Sequence, residues 1–553
     1  MIVTSNEEFK HLKKHIKEYF ERIARHTNMS KTVLFYSYGD RENRCQVWNS
    51  SYLELNNALN QLFEILDHQF AINQQLNEYI KIDCAYNIQK EDWQKIDQAI
   101  KTQQHNNHYR KGLSFDEKFS ICFLEQELYG RAIIRGLSYD QPNYFDQDNL
   151  NSTLEYKYSN QNIFIQFKQL EYAWTFDTYA VFYENGQLIP LQSQFTENGV
   201  RYLTSDKKTH IKDIIKKNAS FLSSQIAQDG KYNYGFFPAY DRSIRSYNTV
   251  RHCTTTYSLL ETLIIDKNDT VLGRCKLAIE YALQHFYVEI QPNQAYMLDG
   301  STPEDLDEIK LGANAAALLM LTKYQEITGE TTYLNQALAL AKGIQSMMNS
   351  EGETSHVLHY PSLELKEKFR IIYYDGEAAL ALLRLYQLHS DEHLLNSVKL
   401  MFERFIQEKY ERYHDHWLSY CTNELTKICA EEKYFLFGIK NYVRHMIFIR
   451  NRKTTYSTLL EMMMSAYLMV NRIKELGLND ILEKAHFEDL KKLIEFRAEF
   501  QRTGFLYPEV AMYMACPEKV LHAFYVRHDR FRVRIDDQEH NLSGYIAYVQ
   551  HFN

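Results

Sequence analysis

Six helical segments in the later part of the chain each begin with polar or ionisable residues and continue with small apolar ones. These six starts are residues 251–257, 310–314, 373–377, 414–417, 454–457 and 534–540. A helical unit repeated in this way cannot bury its apolar face alone and must stack against its neighbours. We therefore predict helix pairs whose inner members all begin at one end, where His, Asp, Glu and Arg side chains collect.

The first and last helical segments of this region each lack a partner next to them along the chain. The amphipathic segment 207–226 has no helix just before it, and the segment 541–550 has none after it. Pairing these two segments would close five internal pairs into a ring of six, with no exposed apolar end. The prediction is a six-hairpin α/α barrel, and an open solenoid with polar end caps is the alternative.

Residues 1–204 follow a different pattern, in which β-rich runs alternate with helical spacing. Strands are predicted over residues 31–40, 44–48, 80–86, 162–168, 178–183 and 188–191, and a helix over residues 53–76. A chain of 553 residues is too long for one hydrophobic core. We expect two domains: an N-terminal α+β domain over residues 1–204, followed by an all-α (α/α)6 toroid over residues 205–553. The first domain carries no strong catalytic motif and is a candidate surface for a protein partner.

Composition limits the classes of function. The formal net charge of −8 is small for this length and argues against a nucleic-acid binder, which normally carries a clustered basic surplus. No window approaches 18 uninterrupted apolar residues, so we predict no membrane span and expect a cytoplasmic protein. The eight cysteines are dispersed without metal-ligand spacing, and we predict neither a metal nor another cofactor.

Three motifs, together with the rhythm of helix pairs, carry a resemblance to known proteins. Residues 247–257, 373–380 and 533–541 resemble the six-hairpin toroid superfamily, which includes N-acylglucosamine epimerases, uronyl epimerases and several glycoside hydrolase families. The resemblance implies an active site in the funnel formed by the inner-helix starts. The motifs match no single member family, so no catalytic residue is carried over, and residues 1–204 lie outside the resemblance.

Arg251 and His252 lie directly before a helical run that begins with three threonines. An imidazole near neutral pKa is an efficient general base, and an arginine fork can hold a carboxylate or phosphate. We therefore take His252 as a candidate catalytic residue, and Arg251 and Arg245 as candidate substrate-binding residues. The alternative is that Thr254 caps the helix and His252 packs in the loop.

Asp375 and Glu377 flank a glycine at the start of a regular apolar helix. One carboxylate at this position is explained by capping of the exposed backbone amides. The second, next to Tyr374, leaves a candidate for acid/base chemistry. We predict Asp375 and Glu377 as catalytic and Tyr374 as substrate-binding.

The segment 524–540 places basic residues on one face and apolar residues on the other if it is read as an extended chain. Arg530 and Arg534 are predicted to bind an anionic group, and Asp536, Asp537 and His540 to supply acid and base. Adjacent carboxylates can raise the pKa of one of them. The alternative is that Asp537 caps the helix and Asp536 pairs with Arg534.

His416 and Trp417 follow a short acidic and histidine-containing start, residues 414–417. A His-x-His pattern without a partner motif is weak support for a metal site. We predict instead that Trp417 stacks on a sugar and that Asp415 or His416 bonds a hydroxyl. The predicted function is a carbohydrate-active enzyme, an epimerase or hydrolase, acting on a small or polymeric anionic carbohydrate. The alternative is a non-catalytic binding or assembly subunit for polymer biosynthesis.

Overall fold

The computed structural model describes residues 5–26, 31–73, 75–103, 109–136, 141–159, 163–193, 197–300 and 305–552. The chain divides into two compact units. The first contains Met1–Asp206, Phe236–Ser243 and Arg502–Val533, and the second contains Lys207–Gly235, Ile244–Gln501 and Arg534–Asn553. This division differs from a single break after residue 204, because the chain returns to the first unit twice. Met512 and Tyr513, from the later return, are part of a core cluster of the first unit.

The strands over the described residues are short outside the first unit. In chain order they are β1 Thr32–Gly39, β2 Gln46–Tyr52, β3 Tyr79–Asp92, β4 Gly112–Ser114, β5 Cys122–Phe123, β6 Ile134–Arg135, β7 Tyr144–Phe145, β8 Tyr172–Glu184, β9 Gln187–Leu191, β10 Gly235–Phe237, β11 Arg242–Ser243, β12 Tyr287–Gln291, β13 Gln294–Asp299, β14 Glu308–Lys310, β15 Val357–His359, β16 Leu365–Glu367 and β17 Val533–Arg534.

The α-helices dominate the second unit. In chain order they are α1 Asn6–His26, α2 Leu55–Asn73, α3 Trp93–Lys101, α4 Glu125–Gly130, α5 Gln147–Lys157, α6 Lys207–Ser224, α7 Thr249–Glu261, α8 Asp269–His285, α9 Leu311–Thr328, α10 Leu334–Ser346, α11 Tyr373–His389, α12 Glu392–Gln407, α13 His416–Ile428, α14 Glu432–Val443, α15 Met446–Asn451, α16 Thr458–Glu475, α17 Asn479–Leu482, α18 Phe487–Gln501, α19 Pro508–Ala511 and α20 Ile535–His551.

The first unit is built on an antiparallel sheet in the order β2-β1-β3-β8-β4-β5, with β9 paired to β8. The predicted hairpin between β8 and β9 forms, with Asn185 and Gly186 both at positive φ, as a tight two-residue turn requires. The strand predicted over residues 162–168 is wrong for its described part, residues 163–168. There, residues 163–166 have no regular structure and a 3₁₀ turn, Phe167–Gln169, follows. Phe164 is exposed, so this stretch has no buried face to pair.

The second unit is an (α/α)6 toroid. Its inner ring consists of α7, α9, α11, α13, α16 and α20, each packed on the next, and α20 packs back on α7. The outer helices α8, α10, α12, α14, α18 and α6 pack on these in turn. The predicted closing pair is confirmed, since α6 packs on α20. All residues from Leu311 to Tyr324 in α9 are buried, as expected for a helix surrounded by others.

The second unit is not purely helical, which corrects the all-α prediction. A five-stranded antiparallel sheet, in the order β12-β13-β14-β15-β16, is formed by segments that connect the helices. Its strands are at most six residues long, too short to give a clear period-2 signal in the sequence. Among the residues described, no helix combines the length and apolarity needed to cross a bilayer.

Candidate active site

A cavity of about 250 Å³ lies within the second unit at the first turns of its inner helices. Because successive inner helices run in the same direction, these turns meet at one mouth of the ring. The cavity is lined by Asn248, Val250, Arg251, Thr254, Ile371, Tyr373, Tyr374, Glu377, His416, Trp417, Thr458, Asp536, Glu539 and His540. Aromatic, carboxyl, imidazole and guanidinium groups therefore share one small volume.

Two glycines allow the inner helices to approach closely beside the cavity. A Cβ atom on Gly312 of α9 would lie 2.6 Å from Glu377 Oε2 and would also overlap the ring of Tyr374. A Cβ atom on Gly376 of α11 would lie 2.5 Å from Asp415 Oδ2. Glycine at these positions lets side chains of one helix rest on the backbone of the next. The positions of Glu377 and Tyr374 are thus fixed by the neighbouring backbone.

His540 is the cationic centre of the cavity. Its Nδ1 lies 2.9 Å from Glu461 Oε2 and 3.8 Å from Glu539 Oε1. The other carboxyl oxygen of Glu461 accepts a hydrogen bond of 3.2 Å from the hydroxyl of Tyr420. Burial lowers the pKa of His540, but Glu539 and Glu461 outweigh burial and raise it to about 10. The imidazole is therefore protonated at neutral pH.

His416 is the opposite case, a buried imidazole held neutral. Burial lowers its pKa to about 3, the nearby Glu461 opposes this, and the charge of His540 lowers it further. The rings of His416 and His540 lie with centroids 5.1 Å apart and planes at 83°. Among the described residues, His416 Nε2 has no hydrogen-bond partner. A buried polar atom left open in this way is costly unless a ligand or water completes it.

Two carboxyl groups of the cavity have pKa values above the ordinary range. Burial raises the pKa of Glu539 to about 7, although His540 and a hydrogen bond from Thr254 lower it. Burial, Asp415 and Glu539 raise the pKa of Glu377 well above its usual value, while His540 acts against them. Asp415 caps α13, accepting from the backbone amides of Trp417 and Leu418.

Asp536 is bound by two arginines. Arg251 Nε donates to its carboxylate over 2.9 Å, and Arg534 Nη2 over 2.6 Å. The Arg251 guanidinium also donates to the hydroxyl of Tyr234. This is the pairing of Asp536 with Arg534 that the sequence left open as an alternative. The two guanidiniums that were predicted to hold an anionic substrate group therefore share a carboxylate of the protein.

Residues predicted from the sequence separate into two groups. The structure brings the following into the cavity wall: Arg251, Tyr374, Glu377, His416, Trp417, Asp536 and His540. It does not place the following there: Arg245, His252, Asp375, Asp537, Arg530 and Arg534. Arg245 is exposed.

The prediction that His252 is an accessible base is not supported by its surroundings. The ring is fully buried, with Nδ1 2.7 Å from the Tyr247 hydroxyl and Nε2 2.7 Å from the Ala278 carbonyl oxygen. Burial lowers the pKa of His252 to about 4. The reason lies in the helix start: Asn248 caps α7, so residue 252 is already in its first turn and faces α8 rather than the cavity.

The extended reading of residues 524–540 is also corrected. Arg530 and Phe531 both have φ of 56°, so the chain turns there, and only Val533–Arg534 is a strand. Arg530 belongs to the first unit, where it pairs with Asp529 and lies over the ring of Phe237. It therefore does not belong to a row of arginines with Arg534.

Asp375 and Asp537 are buried beside the helix starts without lining the cavity. Asp375 accepts a hydrogen bond from the Thr354 hydroxyl and lies 3.3 Å from His356 Nε2. Cavity residues on α11 and α20 follow the helical spacing 373, 374, 377 and 536, 539, 540, and positions 375 and 537 fall off that face.

Several lining residues were missed by sequence reasoning, chiefly Glu539, Tyr373, Asn248 and Thr458. Glu539 lies three positions after Asp536, so the helical spacing from a correct start would have identified it. Glu461 lies one turn inside α16, where the sequence shows only an acidic residue among methionines. Its role depends on contact with His540, a neighbour 79 positions away in sequence.

One group of described residues has the composition of a metal site. His416, Glu461 and His540 each offer a ligand atom, and these atoms lie within 4.8 Å of one another. The group already contains the ion pair between His540 and Glu461. A metal bound here would have to displace the proton that His540 shares with Glu461.

No protein-family profile and no curated protein sequence matches the chain. Among solved structures it is similar to D-mannose isomerase, with 11% identity, a TM-score of 0.48, and coverage of 63% of this chain and 99% of that one. It is also similar to cellobiose 2-epimerase from Bacillus thermoamylovorans B4167, with 14% identity, a TM-score of 0.47, and coverage of 62% and 99%. For the GH76A alpha-1,6-mannanase from Salegentibacter sp. HEL1_6 the values are 11%, 0.40, 61% and 98%. TM-scores under 0.5 leave the function to be inferred from the cavity.

Proposed function

We propose that the toroid catalyses proton transfer at the carbon next to the carbonyl of an open-chain sugar, which gives epimerisation or aldose–ketose isomerisation. The observation that carries this proposal is the pair His416 and His540. Their rings lie 5.1 Å apart on the wall of one cavity, and their environments favour opposite protonation states. A reaction that removes a proton from carbon and stabilises the resulting oxyanion needs one group of each kind.

In the proposed reaction the neutral imidazole of His416 accepts the proton from the carbon through Nε2. The C–H electron pair forms the carbon–carbon double bond, and the carbonyl oxygen becomes an enediolate oxygen. The imidazolium of His540, oriented by Glu461, stabilises this charge or transfers its proton to it. For the epimer, His540 gives its proton to the opposite face of the same carbon as the carbonyl re-forms, which leaves His416 protonated and His540 neutral until both exchange protons with water. For the ketose, His540 gives its proton to the former carbonyl oxygen and takes the proton of the neighbouring hydroxyl, while His416 returns its proton to the adjacent carbon.

The walls of the cavity support a sugar ligand. Tyr373, Tyr374 and Trp417 present aromatic surface beside polar groups, as suits a ligand with apolar faces and a hydroxyl rim. The volume of about 250 Å³ is below the roughly 300–1,000 Å³ of sites for drug-sized ligands. This size suits one sugar unit, and a second cavity of about 510 Å³ that shares Asn248 and Arg251 offers room beside it for a longer sugar.

The charge of the sugar is the finer part of the proposal. Arg251 and Arg534 both pair with Asp536, so a carboxylate on the substrate would compete with a protein carboxylate for them. We therefore place uncharged aldoses first among the substrates. Uronates come second, because Arg251 still lines the cavity.

Two alternative functions for this cavity are an inverting hydrolase and a non-catalytic binding subunit. An inverting hydrolase needs a carboxyl acid and a carboxylate base roughly 6.5–9.5 Å apart with water between them. Here the carboxylate of Asp536 accepts hydrogen bonds from two guanidinium groups, which makes it a poor base. A non-catalytic binding subunit would have paired arginines, as observed, but it would not require an open imidazole nitrogen on His416. Since an open nitrogen would also serve ligand binding, it is the presence of two imidazoles with opposite preferred protonation states in one cavity that favours catalysis.

The test is incubation of the protein in D₂O with D-glucose, D-mannose, cellobiose and D-glucuronate, followed by NMR. Loss of the C2 proton signal and appearance of an epimer or ketose are expected. His416→Asn and His540→Asn should each lower the rate by about 10²–10⁴-fold, whereas the exposed His359→Asn should leave it unchanged. Sugar binding without proton exchange would refute the proposal and favour the binding subunit, and release of glucose from cellobiose would favour a hydrolase.

A further inference from the structure

Glu377 presents an unusual group to the cavity. Its side chain is 5% exposed and lines the wall, and among the described residues Oε2 has no hydrogen-bond partner. Oε2 lies so close to the backbone of Gly312 in α9 that a Cβ atom there would come within 2.6 Å of it, so the neighbouring helix limits the positions open to the carboxyl group. A buried carboxyl oxygen left open costs about 1–3 kcal/mol. Such a cost is recovered if a ligand completes the hydrogen bond.

The charged groups around Glu377 determine which form of the carboxyl group is present. Asp415 faces it from α13, Glu539 and His540 face it from α20, and Tyr374 is its neighbour on α11. Two of these groups are carboxyl groups and one is a cation. Together with burial, the carboxyl groups outweigh the cation and raise the pKa of Glu377 well above its ordinary value. These surroundings favour the neutral carboxylic acid form of Glu377, which has one O–H to donate.

We propose that Glu377 donates a hydrogen bond to a hydroxyl or carbonyl oxygen of the sugar and thereby makes that oxygen a requirement for binding. This inference rests on the proposed function only in taking a sugar as the ligand. A site that hydrogen-bonds a substrate oxygen rejects the analogue that lacks it, because its own buried group is then left unpaired. The specificity of the cavity would thus depend on Glu377, while the proton transfers depend on the histidines.

The experiment measures sugar binding through fluorescence, since Trp417 is the sole tryptophan of the second unit and lies in the cavity wall. Glu377→Gln keeps the shape and a donor and should bind D-mannose within about threefold of the unaltered protein. Glu377→Leu removes the donor and should weaken binding about tenfold or more. Asp375→Asn, on the same helix but outside the cavity, is the matched control and should bind normally.

Monodeoxy derivatives of D-mannose and D-glucose locate the accepting oxygen. For one of them the penalty of Glu377→Leu should disappear, because the lost donor no longer has an acceptor. A second readout is pH: affinity of the unaltered protein should fall as Glu377 ionises at high pH, and that of Glu377→Gln should not. Equal penalties of Glu377→Leu for every sugar and deoxy-sugar would overturn the inference.

The two proposals fail in different ways. If proton exchange at C2 is catalysed but Glu377→Leu binds sugars as tightly as the unaltered protein, the proposed function stands and this inference is wrong. If the coupling to one sugar oxygen is found but no proton exchange occurs, Glu377 is confirmed as the specificity residue of a sugar-binding protein. If none of these sugars binds, both proposals are wrong for this class of ligand.

Discussion

In the first unit Lys81 and Asp83 are buried side by side, with Lys81 Nζ 2.7 Å from both carboxylate oxygens. Thr178 donates to the same carboxylate over 3.0 Å, and Ser37 and Tyr513 bond each other beside the lysine. In the second unit the partly exposed His540 is surrounded by the buried His416, Glu461 and Glu539, and His416 Nε2 and Glu377 Oε2 have no hydrogen-bond partner among the described residues. A cavity of about 250 Å³ adjoins the second cluster.

The contrast separates a structural cluster from a functional one. A buried polar network whose members satisfy one another is stable by itself and has nothing left to offer a ligand. A network with open atoms beside a cavity is stable only because the rest of the fold holds it in place. Substitutions in the first cluster should therefore change folding, and those in the second should change binding and turnover.

The largest expected effect is on the structural cluster. Asp83→Ala leaves Lys81 buried without its ion pair and should lower the free energy of unfolding by about 3–5 kcal/mol, measured by denaturant titration. The double variant Lys81→Met/Asp83→Ala should recover much of this loss, because no charge is left buried. A small effect of Asp83→Ala would contradict the view that this cluster is structural.

The next effect concerns the charge of His540 and depends on pH. Its pKa is raised to about 10 in the folded protein, against about 6.5 when unfolded. The stabilisation from its pairing with Glu461 is complete below pH 6.5 and is lost as pH rises through 10. Glu539, whose own pKa is about 7, carries a charge to pair with His540 only above that pH. His540→Gln should therefore lower stability by about 1.5–3 kcal/mol at pH 6, and the difference should shrink by pH 10. A difference that grows with pH would contradict the assignment.

A smaller loss of stability is expected on replacing His252. The result can be compared directly with that for His416, since both are buried neutral histidines. His252 has both ring nitrogens bonded. His252→Leu should lower the free energy of unfolding by about 1–3 kcal/mol and leave kcat/KM of the folded protein within about twofold. A loss of activity as large as that of His416→Asn would restore His252 to the catalytic residues.

The smallest expected change has the opposite sign. His416→Phe removes Nε2, which has no partner among the described residues, together with the 3.4 Å contact of Nδ1 with Asp415, which keeps its bonds to two backbone amides. It should raise stability by about 1 kcal/mol while abolishing turnover. Thermal unfolding in the absence of sugar is the measurement. A clear loss of stability would indicate that His416 is bonded in the free protein, and would weaken the contrast between the clusters.

The ring of helix pairs could be predicted from the sequence because its signal is local and repeated. Small apolar residues at helical spacing identify each inner helix, and the two unpartnered segments identify the closure. The short strands β12 to β16 and the return of residues 502–533 to the first unit could not be predicted, because each depends on contacts between distant segments.

The site was predictable to the level of the helix start but not of the individual residue. The sequence pattern places the start of α7 at Thr254, and from that start His252 is predicted to face the cavity. The helix actually begins at Thr249 with Asn248 as its cap, and residues 250, 251 and 254 line the cavity instead. Which of Asp536, Asp537 and Glu539 face the cavity depends in the same way on where α20 begins, and the turn that precedes Val533 determines that start. A buried atom without a hydrogen-bond partner, such as His416 Nε2, leaves no recognisable pattern in the sequence.

Closure of the ring by α20 has a consequence for biosynthesis. The helix that completes the toroid also supplies Glu539 and His540 to the cavity, while its outer partner α6 is made hundreds of residues earlier. A nascent chain that has left the ribosome only as far as α18 has an open ring of helices and lacks Asp536, Glu539 and His540 of the cavity wall. Ribosome stalling or a nonsense mutation before Ile535 should therefore yield an inactive product. The apolar surfaces of α6, α7 and α16 that α20 covers would be exposed in it, and chaperones bind such surfaces.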